Sequence, residues 1–228
     1  MFVHVPSRRR EKRPWWTALI VLVCTGVFVW EMLQPESTRS ATLYGFGTVP
    51  SRLASAFSLG QALPIGRELL RLLSGIFVHV DFPHLLGNMV FVLIFGLSAE
   101  RLLGSRRFVA LYLICGALAN LCGAIFYQGS EAVIVGSSGA VSAIVGAYIT
   151  LFPNARLGLV IPLGLFMEWV RMPASILIGI WVLIQILFAL AGPNLAAVAW
   201  PVHLAGFVSG VLFALLSRPA IAKRLRNS

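Results

Sequence analysis

The chain has 228 residues, of which 58% are hydrophobic and only 11% are charged, and its mean hydropathy is +0.88. A soluble domain carries roughly a quarter charged residues, so these values exclude an ordinary soluble domain and indicate a membrane protein. The net charge of +10 does not indicate nucleic-acid binding, because the basic residues cluster beside apolar runs, at 8–13, 101–107 and 218–226. The bias of Lys and Arg toward cytoplasmic loops predicts such clusters.

The three cysteines lie inside apolar runs and form no CxxC pair. Their positions predict neither a disulfide framework nor a metal cage. Cys24, Cys115 and Cys122 are therefore interpreted as small hydrophobic residues.

Six apolar stretches stand out along the chain. Backbone groups in lipid must pair within their own segment, so each stretch is predicted to be a helix. The expected fold class is an all-α membrane protein, a six-transmembrane-helix bundle with a long first outer loop. The predicted spans lie near residues 15–34, 84–103, 107–127, 137–152, 174–192 and 202–217.

The basic clusters predict the orientation of the bundle. Both termini, the 101–107 turn and the 153–173 loop should be cytoplasmic. The expected division is a basic cytoplasmic tail (1–14), a six-helix membrane domain (15–217) and a second basic cytoplasmic tail (218–228). The sequence has neither a clear transit peptide nor a candidate second domain, which favours a bacterial cell (inner) membrane.

The first outer loop, at 35–83, is predicted to lie partly in the membrane interface and not wholly in water. Its segments Leu53–Phe57 and Glu68–Phe77 mix apolar and charged residues. Helices that lie in a membrane interface have this composition.

Two polar residues open the second span. His84 and Asn88 are four residues apart and share one helical face, and polar residues inside a membrane bundle are costly and usually functional. Together with the Ser138 N–H they could form an oxyanion hole. The alternatives are a structural histidine bonded to a carbonyl, and a metal site of His79, Asp81 and His84, for which no fourth ligand is evident.

The fourth apolar run is short and begins with Gly136-Ser137-Ser138-Gly139. A helix N-terminus presents free N–H groups and partial positive charge, which suits a developing oxyanion. Gly136 can take a positive φ at a sharp turn, and Gly139 removes a side chain next to Ser138. The alternative is a packing role, because small residues with serine are common where membrane helices meet.

The sixth span carries a histidine and two glycines on one face, at His203, Gly206 and Gly210. The glycines let another helix approach closely, and the fourth helix has glycines of its own. Packing of the two faces would bring His203 toward Ser138 and make a nucleophile and base pair.

On these residues the chain resembles the rhomboid family of intramembrane serine proteases. The motifs occur in the family's order on the second, fourth and sixth spans, and the resemblance extends from about residue 15 over nearly the whole chain. They are His79-x4-His84-x3-Asn88, Gly136-x-Ser138-Gly139 and His203-x2-Gly206-x3-Gly210.

The resemblance implies a six-helix bundle with a serine–histidine dyad. Ser138 would attack the peptide carbonyl, and His203 would take its proton and deliver it to the leaving amine. His84, Asn88 and the Ser138 N–H would hold the oxyanion. The implied partners are membrane lipid and single-span membrane protein substrates, cut near a span end, with no cofactor, no metal and no nucleic acid.

Three positions depart from the family pattern. Ser142 stands where many members have an aromatic residue that packs against the catalytic histidine. The family's Glu-x-Arg after the second span is replaced by Glu100-Arg101, and its Trp-Arg in the first outer loop by Leu70-Arg71.

Ser137 and Ser142 are rival nucleophiles. Ser142 would lie one turn deeper on the same face as Ser138, and Ser137 would point elsewhere. Only Ser138 matches the family position, which makes it the expected nucleophile.

Two other functions compete with proteolysis. A non-catalytic rhomboid-like protein that binds membrane clients usually lacks the serine or the histidine, and both are present here. A small transporter or channel usually carries intramembrane charges or broken helices in symmetric halves, and the sequence has neither.

Overall fold

Helices dominate the structure, a computed structural model that describes residues 13–59, 62–163, 166–191 and 200–226. One antiparallel pair of strands accompanies them, β1 (Arg156–Leu163) and β2 (Phe166–Pro173). The helices are α1 (Trp15–Met32), α2 (Glu36–Phe46), α3 (Pro50–Leu59), α4 (Ala62–Ser74), α5 (Phe82–Leu103), α6 (Ser105–Phe126), α7 (Ser138–Leu151), α8 (Ala174–Ala191) and α9 (Trp200–Arg226). Single π-helical turns lie within α5, at Val92–Gly96, and within α6, at Leu111–Cys115.

A helix occurs at each of the six predicted spans. Among the described residues, α1, α5, α6 and α9 are long and apolar enough to cross a membrane. The fourth and fifth predicted spans contain shorter apolar helical stretches, Ser138–Leu151 in α7 and Ala174–Phe188 in α8. The prediction of a helical, multi-pass membrane protein is therefore confirmed.

The long first outer loop, predicted at 35–83, contains the helices α2 to α4 and is tied to the bundle. The Arg71 Nε donates to Gly45 O at 3.0 Å. Thr48 donates its N–H to Ile134 O at 3.0 Å and accepts from the Ile134 N–H at 2.8 Å. The two Thr48 bonds hold the loop against the segment that precedes α7, whereas the Arg71 bond joins two parts of the loop itself.

The 153–173 segment, expected as a cytoplasmic loop, forms a β-hairpin. The strands β1 and β2 pair from Arg156 opposite Pro173 to Leu163 opposite Phe166. Val, Ile, Phe and Trp in this segment favour strands, and each apolar run is too short for a spanning helix. The hairpin adds a β element to the predicted fold without changing its class.

The centre of the bundle is α7, in which every residue from Gly139 to Tyr148 is buried. Its backbone touches that of α9. A Cβ placed on Gly206 would lie 2.2 Å from Gly139 O, and one on Gly210 would lie 2.0 Å from Ala143 O. Small residues let membrane helices approach this closely, so the crossing of α7 and α9 requires glycine at both positions.

Glu100, at the end of α5, caps the start of α1. Its carboxylate accepts hydrogen bonds from the Trp16 N–H at 3.1 Å and from the Thr17 N–H at 2.8 Å. The Thr17 hydroxyl donates to the same group at 2.8 Å. A carboxylate satisfies free N–H groups and complements the helix dipole there, so Glu100 fixes where the first span begins.

The basic C-terminal part of α9 lies at this same end of the bundle. The Arg218 guanidinium donates to Thr150 O at 2.9 Å, and that of Arg224 donates to Arg101 O at 3.1 Å. One end of the bundle therefore contains the start of α1, the turn between α5 and α6, the end of α7 and the end of α9. The segment expected as a basic tail at 218–228 continues α9 as far as Arg226, and the N-terminal tail lies almost wholly outside the described residues.

Candidate active site

The other end of the bundle holds the predicted site residues. The turn before α7 is sharp, with Gly136 at a φ of +105°. A Cβ on Gly136 would lie 2.4 Å from the His84 Cε1 and 2.6 Å from its Nε2. The His84 ring therefore lies against the turn that leads into Ser138, and only glycine combines this φ with this contact.

Of the three serines in this region, Ser138 is the one whose hydroxyl makes no hydrogen bond to another residue that the structure describes. Ser137 is 0% exposed and its Oγ lies 3.2 Å from the His79 Nε2. Ser142 is 2% exposed and its Oγ donates to Ser138 O at 2.7 Å. Ser138 is half-buried and begins α7, so it is the most accessible of these hydroxyls.

His203 lies in the first turn of α9, and two side chains of α8 contact its ring. The His203 Nδ1 lies 2.9 Å from the Gln185 Oε1. The Trp181 ring centroid is 6.2 Å from that of the imidazole, with the ring planes 34° apart. The orientation of His203 is therefore set from α8, and not from Ser142.

Ser138 and His203 belong to the two helices that meet through their glycines. Gly139, next to Ser138, is in backbone contact with Gly206, which lies one turn after His203. Among the described residues no hydrogen bond joins the Ser138 hydroxyl to the His203 ring. Catalytic hydrogen bonds are often long before substrate binds, so this geometry is compatible with a nucleophile and base pair.

His84 and Asn88 lie on successive turns of α5, and the His84 ring lies against the turn before Ser138. The His84 N–H donates to the Asp81 carboxylate at 2.7 Å, which caps this helix. Asn88 is 7% exposed, and its Nδ2 has no hydrogen-bond partner within the described structure. A buried donor without a partner is costly, and it is suited to an oxygen that arrives only with a ligand.

The alternative metal site at His79, Asp81 and His84 receives no support. The Asp81 carboxylate is used as a helix cap. The described part of the chain contains no group of three or more His, Cys, Asp or Glu side chains placed to hold a metal ion.

His79, in the loop before α5, supports the turn that precedes the nucleophile. Its Nε2 accepts a hydrogen bond from the Ser137 N–H at 3.4 Å. Its ring lies edge-on to that of His84, with the centroids 5.3 Å apart. Burial and the neighbouring His84 lower the pKa of His79 to about 4, so the ring is neutral and its Nε2 can accept.

The folded protein binds the His79 proton less tightly than the unfolded chain does. Acid should therefore destabilise the folded protein. The free energy of unfolding is expected to fall as pH drops from about 6.5 to 4, by on the order of 3 kcal/mol at most from this group. Thermal unfolding in detergent between pH 7.5 and 4 measures this. His79→Gln, which keeps an acceptor but does not titrate, should lose less stability over the same range. An identical pH dependence in the two proteins would contradict the assignment.

Trp181 and Gln185 are the site residues that the sequence analysis did not single out. Gln185 is the one amide in the apolar helix α8, and an isolated polar residue inside a span is a signal of function. Trp181 lies one turn earlier on the same face. The sequence carried this signal, but it did not indicate which group Gln185 binds.

The family of the chain is established by comparison with known proteins. The family described as Rhomboid domain matches residues 66–220, a stretch that includes the helices α5 to α8 and most of α9. The chain therefore belongs to the rhomboid family, as its motifs predict.

Individual relatives agree with this assignment. The rhomboid-family protein YdcA of Bacillus subtilis (strain 168) is 34% identical over 106 residues, which are 46% of this chain and 51% of that protein. RHOMBOID-like protein 4 of Arabidopsis thaliana is 27% identical over 186 residues, 81% of this chain and 43% of that protein. Rhomboid protease GluP of Bacillus subtilis (strain 168) is 28% identical over 137 residues, 60% of this chain and 24% of that protein. The matched stretch thus spans about half of these relatives' length or less.

Proposed function

We propose that the protein is an intramembrane serine endopeptidase that uses Ser138 as nucleophile and His203 as general base. The observation that carries the proposal is the backbone contact between α7 and α9 at Gly139 and Gly206. That contact brings the start of α7, with its half-buried serine, toward the first turn of α9, with its histidine. Family membership and protease-named relatives support the same reaction class.

In the proposed reaction the Ser138 Oγ attacks the carbonyl carbon of a substrate peptide bond while the His203 Nε2 accepts the hydroxyl proton. The resulting imidazolium delivers that proton to the leaving amine, and the C–N bond breaks. Water then attacks the acyl-enzyme, with His203 again as the base. No cofactor is needed for these steps.

The oxyanion of the tetrahedral intermediate is assigned to three donors. The Ser138 N–H lies at the N-terminus of α7, where the helix dipole favours negative charge. His84 lies against the turn at Gly136, and the Asn88 Nδ2 is a buried donor without a protein partner. An oxyanion would give this donor the partner that the described structure lacks.

The proposed substrates are single-span membrane proteins cut near the end of the span. The 14 residues of α7 extend about 21 Å, less than the roughly 30 Å hydrocarbon core of a bilayer. The C-terminus of α7 lies at the basic end of the bundle, so its Ser138 end would lie below the opposite membrane surface. The proposed location is a bacterial inner membrane with both termini in the cytoplasm.

A fluorophosphonate probe is expected to label purified, detergent-solubilised protein at Ser138, because such probes react with activated serines. Mass spectrometry of the labelled peptide locates the adduct, and gel analysis with a single-span test substrate measures cleavage in parallel. Ser137→Ala and Ser142→Ala are the matched controls and should still be labelled. An adduct on Ser142, or cleavage that persists after Ser138→Ala, would assign the nucleophile elsewhere. Protein that neither reacts nor cuts would favour client binding.

A further inference from the structure

The structure gives the candidate base a buried partner on another helix. We propose that Gln185 is a positioning residue, whose side-chain oxygen accepts a hydrogen bond from the His203 Nδ1–H and so leaves Nε2 free to take the Ser138 proton. The distance between the His203 Nδ1 and the Gln185 Oε1 is 2.9 Å. The inference rests on the proposed function, because it treats His203 as the base.

Gln185 is a polar residue on the buried side of an apolar helix. Its side chain is 5% exposed, whereas Leu183 and Leu187 in the same helix are each 53% exposed. An amide away from water is costly unless it is hydrogen-bonded. The hydrogen bond to His203 meets this requirement. The buried amide of Gln185 therefore has the candidate base as its partner.

The direction of this hydrogen bond decides the chemistry. A neutral imidazole carries one proton, and the nitrogen without it holds the lone pair. When Gln185 offers its oxygen to Nδ1, the proton lies on Nδ1 and Nε2 can act as the base. If its NH₂ group faced Nδ1 instead, the proton would lie on Nε2 and the base would be lost. The observed contact is through Oε1, which selects the productive form.

A second contact from α8 fixes the plane of the ring. Trp181 lies one turn before Gln185, 6.2 Å from the imidazole and also 6.2 Å from the Phe207 ring. Ser142, which stands where many family members have an aromatic residue, points its hydroxyl at Ser138 O. Thus α8 orients the histidine in place of that residue.

Two substitutions at one position test the inference through kinetics. Gln185→Leu keeps the volume but removes the acceptor, and kcat should fall about 10- to 100-fold with little change in KM, a loss of the size found when a group that orients a metal-bound histidine is removed. Gln185→Glu keeps an acceptor and should retain most of the kcat that Gln185→Leu loses. Ile186→Leu, a lipid-facing change in the same helix, is the matched control and should cut like the wild type. Unfolding temperatures check that each variant is folded.

A spectroscopic measurement separates this inference from the proposed function. Nitrogen NMR of protein labelled with ¹⁵N-histidine reports the tautomer, and His203→Asn assigns the signals. The expected result is a proton on Nδ1 of His203 in the wild type, lost in Gln185→Leu. If the wild type cuts no substrate but gives this result, the hydrogen bond is confirmed and the proposed proteolysis is contradicted. A proton on Nε2 in the wild type, an unchanged kcat in Gln185→Leu, or a Gln185→Glu protein as slow as Gln185→Leu would overturn the inference.

Discussion

Replacing Ser138 by alanine is expected to lower the rate of substrate cleavage by at least about 10³-fold, and His203→Ala should have an effect of similar size. The two side chains perform one step, the transfer of the hydroxyl proton during attack. Removing either one therefore removes the step, and the double variant should be no slower than the slower single variant. Initial cleavage rates of the four proteins on one single-span substrate measure this.

The double variant is the informative part of this cycle. If the two losses add, the serine and the histidine act separately and the dyad is wrong even though both residues matter. The thermal unfolding midpoint of each variant shows whether the variant is folded, and so whether unfolding explains a loss of activity. Ser138→Ala should leave that midpoint nearly unchanged, since no protein group bonds its hydroxyl in the described structure.

Gly210→Ala is expected to destabilise the protein by about 3 kcal/mol or more, at the upper end of the cost of overpacking a core. A Cβ at this position would lie 2.0 Å from Ala143 O and 2.6 Å from its C and Cα. All three atoms are backbone, so relief requires α9 to move away from α7. Such a movement would also carry His203 away from Ser138, and cleavage should fall together with stability.

Gly179→Ala is the matched control for this prediction. Gly179 lies in α8, and a Cβ there would meet no atom within 4 Å elsewhere in the described structure. The same change in composition should therefore leave the unfolding midpoint and the cleavage rate close to those of the wild type. Equal behaviour of the two alanine variants would contradict the proposed contact between α7 and α9.

Much of the fold is encoded in short stretches of sequence. The hydropathy of each span and the pairing rule for backbone in lipid predict helices wherever α1, α5, α6 and α9 occur. The glycines before and after Ser138 likewise indicate a sharp turn into a helix that another helix can approach. These signals lie within short stretches of the chain, so they can be interpreted without knowing which distant residues each stretch contacts.

The elements that sequence analysis described incompletely depend on pairing between distant residues. The charge of the 153–173 segment predicts a cytoplasmic loop, whereas β1 and β2 stabilise each other there by antiparallel pairing. The use of His79 was equally invisible, because its partner Ser137 lies 58 positions later. A periodicity or a motif records which residues share a face, but not which other face they meet.

The sequence by itself determined that this chain is a helical membrane protein of the rhomboid family and which serine and histidine are its candidates for catalysis. Only the tertiary structure decided how that histidine is held. Gln185 and His203 are 18 positions apart on different helices, and their 2.9 Å contact exists only because α8 lies against α9 at one particular rotation. Hydropathy places both helices in the membrane, whereas side-chain packing between them sets the rotation that lets the amide reach the imidazole.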